Sequence, residues 1–295
     1  MTPPDAAAKL SVLPPLAAAL VCFAANSVLC RAALAEEAIG PASFTALRLV
    51  SGAIALLLIA AAAGRGRAIR ECASALPAAA LFAYAAGFSF AYVALDAGTG
   101  ALILFGAVQA TMFAGALIGG ERPGPARWLG GAAAFGGLAW LAAPGAGAPE
   151  PLAAGLMAMA GAAWGVFSLR GRRAGAPLPT MAAAFALSAP VSLLLWGAFG
   201  ADETVTWRGA ALAVASGAAA SGGGYAIWYG VLPRIEATMA AVAQLAVPLL
   251  ALAGGILFLG EAASPRFAPA ALLILGGVGV ATLIGARPSG VRKRR

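Results

Sequence analysis

The segment Ala218–Ala263, AAASGGGYAIWYGVLPRIEATMAAVAQLAVPLLALAGGILFLGEAA, decides how this chain is read. Two apolar runs flank a very short polar turn, Pro233–Glu236. The second run carries Pro248 and ends in Leu-Gly-Glu at Glu261. An earlier segment, Phe82–Pro123, repeats the arrangement: FAYAAGFSFAYVALDAGTGALILFGAVQATMFAGALIGGERP, with its own Gly-Glu at Glu121. The two glutamates are 140 positions apart (261 − 121), close to half of the 295 residues. Self-similarity at half the chain length is the mark of an internal duplication. The copies differ at one informative place. The first has Val108-Gln109 where the second has Pro248, so a polar amide sits mid-run in place of a helix-breaking proline.

Composition sets the class. The chain is 62% hydrophobic and 10% charged, with a mean hydropathy of +0.90. A soluble domain carries about 25% charged residues. Apolar runs of about 20 residues separated by short charged turns are those of a polytopic membrane protein. The absence of histidine removes His acid–base chemistry and His metal ligation. Cys22, Cys30 and Cys72 lack metal-ligand spacing, and two of them lie in the first apolar run as small apolar fillers. No cofactor or metal is expected.

Ten spans are placed at about 12–33, 42–63, 75–95, 99–119, 126–143, 152–169, 180–199, 209–231, 237–259 and 267–285. Lys9, the first run and Ala33-Leu34-Ala35 have some features of a secretory signal. The run is too long for one, and Arg31 interrupts the approach to the cleavage site. Basic residues orient the spans. Lys9, Arg65, Arg67, Arg70, Arg122, Arg127, Arg170, Arg172, Arg173, Arg234 and the tail from Arg287 fall on one side, 15 of the 19 Lys and Arg. Glu36, Glu37, Asp96, Glu150, Asp202, Glu203 and Glu261 gather on the other. By the positive-inside rule both termini are cytoplasmic, which requires an even number of spans. The net charge of +8 is thus a topology signal, and no nucleic-acid partner is expected. Five spans per half is odd, so residues 1–147 and 148–295 are expected to form two inverted five-helix repeats.

The paired pattern of aromatic helix, short turn, apolar helix and Gly-Glu, at Glu121 and again at Glu261, resembles the EamA branch of the drug/metabolite transporter superfamily. The resemblance covers about residues 12–285 and implies an all-α inner-membrane permease. It would move a small metabolite, such as an amino acid or related polar compound, outward by alternating access around a midplane site. A lipid flippase or a non-transporting membrane receptor is the alternative. An intramembrane enzyme would need clustered nucleophiles, bases or metal ligands at membrane depth, and the sequence has none. The partners are then a small-molecule substrate and the lipid bilayer, with a homodimer left open.

Polar and aromatic groups inside spans are the candidate site residues, because hydrocarbon penalises them. The resemblance implies a central cavity lined by the first, third, fourth, sixth, eighth and ninth spans. These carry Asn26, Tyr84, Ser89, Gln109, Trp164, Ser221, Tyr225 and Gln244. Gln109 lies about 15 Å from either end of its span. Each amide could instead bond a neighbouring helix. Arg48, about 9 Å inside the second span, matches the family's arginine in SFTALRLVSG. It can pair with a carboxylate, attract an anionic substrate group or snorkel to the interface. Tyr92, Trp228 and Tyr229 are expected in the interfacial aromatic belts, and Glu121 and Glu261 in structural turns. No Asp or Glu falls mid-span, so no embedded carboxylate offers proton coupling. Reporter fusions at Gly64, Ala174 and the C-terminus are expected to read as cytoplasmic, and those at Ala148 and Asp202 as periplasmic. A periplasmic C-terminus would overturn the ten-span reading.

Overall fold

The computed structural model describes residues 12–120, 124–143, 145, 147–171, 176–231, 234 and 243–283. Glu121, most of the Pro233–Glu236 turn and the basic C-terminal tail lie outside the described residues. The elements are α1 (Leu13–Leu34), α2 (Pro41–Ala62), α3 (Gly66–Glu71), α4 (Ala75–Ala91), α5 (Ala97–Ile118), α6 (Pro125–Ala142), α7 (Pro151–Gly171), α8 (Pro177–Phe199), α9 (Trp207–Val231), α10 (Ala246–Leu259) and α11 (Phe267–Leu283). The one strand-like feature among the described residues is an isolated antiparallel bridge, Ile39 to Val205.

Six helices, α1, α2, α5, α7, α8 and α9, are long and apolar enough to cross a membrane; α4, α6, α10 and α11 hold shorter apolar stretches. The described residues thus form eleven helices where ten spans are expected. The additional one, α3, is a six-residue helix in the basic turn after α2 and buries no residue. Arg67, Arg70 and Glu71 bracket too little apolar chain to span anything. Pro41, Pro125, Pro151 and Pro177 begin α2, α6, α7 and α8. At that position the missing N–H has no intrahelical partner to lose.

The surface identifies the solvent. Leu58, Leu129, Leu152, Leu194, Leu257, Phe258 and Leu272 are exposed, among many other large apolar side chains. A water-soluble protein rarely leaves such a surface uncovered. Trp128, Trp140, Trp196 and Trp207 are also exposed and sit near helix ends, where aromatic belts form.

Inside, small residues set the helix spacing. A Cβ at Gly277 would fall 3.0 Å from Ala133 Cβ and strike the Gly130 carbonyl, so α6 and α11 meet backbone to backbone. A Cβ at Gly217 of α9 would strike the Arg48 carbonyl and Ser51 Oγ of α2. Seams of small residues are how membrane helices approach closely. Gly277→Val is expected to force α6 and α11 apart and cost about 1–3 kcal/mol. Thermal unfolding in detergent measures it, and an unchanged midpoint would show the seam to be loose.

Candidate functional site

A chain of rings runs through the protein interior. Phe88 stands edge-on to Tyr92 with centroids 4.7 Å apart, and Tyr84 lies 5.5 Å from Phe88. Trp164 packs 4.9 Å from Tyr84 and, nearly parallel, 5.3 Å from Tyr225. Tyr225 continues to Phe23 at 5.5 Å, and Phe23 to Trp228 at 5.5 Å. The rings come from α1, α4, α7 and α9, and Phe185 of α8 joins at Tyr225.

Arg48 of α2 reaches into this chain and is 1% exposed. It does not snorkel. Its guanidinium carbon lies 4.7 Å from the Phe88 ring centre and 5.1 Å from that of Tyr84. Nη2 donates to the Tyr84 hydroxyl at 2.8 Å. Nε and Nη1 are buried and have no acceptor. The ionisable groups acting on it are Tyr84, Tyr225 and Cys30, with no carboxylate among them. An arginine does not escape burial by losing its proton. Cation–π contacts supply about 2 kcal/mol or more each when desolvated, and one hydrogen bond to a charged group about 1.5–3 kcal/mol. The desolvation of an ion costs several kcal/mol, and leaving a buried charge without its partner costs about 3–5 kcal/mol. These contacts are of the same order as the cost of burial, yet none of them is a counter-ion.

The other expected site residues separate into three groups. Tyr84, Trp164 and Tyr225 stand together with Arg48. Asn26, Ser221 and Ser89 are buried but already occupied. Ser216 and Ser221 donate to Asn26 Oδ1 at 2.8 and 3.2 Å, and Ser89 donates to the Ala85 carbonyl of its own helix. Gln109 and Gln244 are half-buried, and neither makes a hydrogen bond to a described residue. Pro248 falls in the first turn of α10, after a break at Leu245, because its ring cannot bond the Gln244 carbonyl. Gln244 thus offers both a side-chain amide and a freed backbone acceptor.

The Asn26 arrangement depends on a feature that the sequence does not announce. Residues Ala215–Gly223 of α9 form a π-helical segment. In an α-helix, residues five apart point roughly 140° away from each other. The wider i→i+5 turn brings Ser216 and Ser221 back to one face, where both hydroxyls meet one amide. Tyr92 and Trp228, expected in the belts, are buried in the ring chain instead. Tyr229 is half-buried and packs against the core.

Sequence reasoning also missed Phe23, Phe88 and Phe185. A signal was available. Phe23 and Trp164 are 141 positions apart (164 − 23), as are Tyr84 and Tyr225 (225 − 84), so the ring cluster is built twice. One asymmetry stands out: Arg48 lies against Tyr84, whereas the position 141 residues on is Ala189.

Polar ties close the face that carries the acidic turns. Gly260 ends α10 in the left-handed conformation, with Glu261 N donating to the Gly255 carbonyl. The Glu261 carboxylate accepts from Arg31 Nε at 3.0 Å and from the backbone N of Ala97 at 2.9 Å, capping α5. Arg31 also donates to the carbonyls of Tyr92 and Val93. Glu203 accepts from the backbone N of Ala42 and Ser43 at 2.9 and 2.8 Å, capping α2. These acids do structural work, and the turn role expected for Glu261 is what its contacts describe. A shallow apolar groove of about 400 Å³ between α4 and α8, lined by Ala78, Phe82, Leu187 and Val191, brings no polar groups together.

An all-helical, multi-pass membrane protein with one buried charge inside a twice-built aromatic cluster is what the fold and these residues define. The EamA-like transporter family model matches the chain twice, over residues 14–143 and 151–283. The chain belongs to that family, whose members are small-molecule membrane transporters. It is 49% identical over 260 residues to the uncharacterized protein PA1977 of Pseudomonas aeruginosa, covering 88% of this chain and 90% of that one. A crystal structure of a protein 23% identical superposes with a TM-score of 0.66 over 93% of this chain and 99% of its own, which speaks for the fold alone.

Asn26→Leu is expected to leave the Ser216 and Ser221 hydroxyls without their acceptor and to cost about 1–3 kcal/mol. Adding Ser216→Ala and Ser221→Ala should recover part of that loss. Full additivity in a thermal-stability cycle would rule the tie out.

Proposed function

We propose that this chain is an inner-membrane carrier that moves a small polar metabolite out of a bacterial cytoplasm by alternating access. Residues 1–147 and 148–295 would be its two inverted five-helix repeats, with ten spans in all and both termini cytoplasmic. The observation that carries the reading is the convergence of Arg48, Tyr84, Trp164 and Tyr225, from both matched regions, at one buried place. Such a centre between halves is where repeat-built carriers bind their substrates. Gln109 and Gln244 add unbonded amides on α5 and just before α10. Asn26, Ser89 and Ser221 would shape the site's wall through the bonds they already make.

The ties at the acidic face fit the same mechanism. Glu203 and Glu261, from the second half, cap helices of the first. Parting the halves at that face breaks these bonds, so a closed and an open state differ by a small set of polar contacts. Release of a metabolite from an overexpressing strain in a toxicity screen, followed by counterflow in liposomes, tests the assignment. Liposomes that move none of the screened metabolites would sink it.

Gln109→Leu removes the amide at nearly constant size. Contact with substrate predicts a half-saturation concentration raised about two- to tenfold, as for a lost neutral hydrogen bond, with an unchanged melting temperature. A lowered melting temperature with unchanged half-saturation would take Gln109 out of the site.

A further inference from the structure

Building on the carrier reading, we infer that Arg48 is a carboxylate-binding group and that the substrate is a monoanionic carboxylate with a flat apolar body. Nε and Nη1 of Arg48 are buried donors without an acceptor, within the protein's aromatic centre. A carboxylate satisfies a guanidinium with short charge-assisted bonds and planar geometry. The ionisable neighbours of Arg48 are two tyrosines and a cysteine. The site therefore supplies one positive charge and nothing to balance a second negative one, which disfavours a phosphate dianion. It also supplies no carboxylate for an ammonium group, which disfavours a zwitterion.

The rings define the rest of the ligand. Tyr84, Phe88, Trp164 and Tyr225 surround the guanidinium and here pack against one another, with Trp164 also stacked on Phe167, so a planar apolar group would enter among rings when the halves part. The repeat asymmetry points the same way. The position 141 residues after Arg48 is Ala189, so the twice-built cluster carries one charge rather than two, and that charge faces both Tyr84 and Tyr225. Such a centre orients a ligand with one anionic end.

In the closed arrangement seen here Arg48 is covered, and a ligand reaches it when the halves part. An anion that enters then removes the unpaired charge. The substrate, rather than a fixed acid of the protein, is the counter-ion.

The test uses the purified full-length protein in detergent and follows thermal stability with benzoate, phenylacetate, the uncharged benzamide, L-phenylalanine and inorganic phosphate. The expected result is stabilisation by benzoate or phenylacetate, and none by benzamide or phosphate. Arg48→Met keeps the packing stem without the charge and should lower the apparent affinity for those carboxylates by about tenfold or more. Its ligand-free melting temperature should equal or exceed that of the wild type, since an uncompensated charge has gone. A sharply lower ligand-free melting temperature would make Arg48 a structural strut and overturn the assignment. Arg48→Lys keeps the charge and should retain part of the carboxylate effect.

Equal stabilisation by benzamide, stronger stabilisation by phenylalanine than by phenylacetate, or no response to either carboxylate would each overturn it too. Arg48-dependent carboxylate binding without counterflow of any metabolite would instead leave this site standing and defeat the carrier reading. Counterflow of a neutral metabolite unaffected by Arg48→Met would do the converse.

Discussion

Inside a bilayer a polar group has no water to fall back on, so every buried donor and acceptor has to find its partner within the protein. Most of the interior of this chain obeys that constraint locally. Ser89, Thr111 and Ser168 return their hydroxyls to the carbonyl four residues earlier, and Ser188 bonds both Ala184 and, across the helix boundary, Ala78. Asn26 takes two serines at once, and a stretch of α9 is wound wider to make that fit. Among the described residues the exceptions are the Ser43 hydroxyl and Arg48, and only Arg48 is a full charge with donors left over.

The same constraint explains the placement of the acids. Helices that start at the acidic face present unpaired N–H groups and the positive ends of their dipoles there. Glu203 supplies acceptors to α2, Glu261 to α5 and Glu150 to α7, while Thr206 caps α9. The basic residues on that face are likewise engaged. Arg31 pairs with Glu261, Arg208 with Glu36, and Arg266 donates to the carbonyls of Trp140 and Ala143. The charge asymmetry that reads as topology in the sequence is, in three dimensions, a layer of helix caps. Two of those caps, Glu203 on α2 and Glu261 on α5, join the two family-matched regions of the chain.

Much of this was legible in advance for simple reasons. Apolar runs, prolines at helix starts and the Gly-Glu ends depend on local chemistry, which a sequence carries openly. The short helix α3 was missed because six residues between arginines show no period. Tyr92 and Trp228 were misplaced because nearness to a span end does not say which way a ring points; both turn inward onto Phe88 and Phe23.

The sequence by itself determined that this is a membrane protein, that it is internally duplicated and which family it belongs to. Composition and repetition suffice for that, because the solvent imposes them along the whole chain. Tertiary structure alone decided which of its polar residues are still free to act. Asn26 and Ser221 look the same as Gln109 in a sequence, yet the first two are bonded to each other and Gln109 is not. Arg48 reads equally as a snorkelling, paired or ligand-binding arginine until its neighbours are known. Only the packing of α4, α7 and α9 around α2 shows rings where an acid could have stood, because hydrogen-bond satisfaction belongs to pairs of residues far apart in the chain.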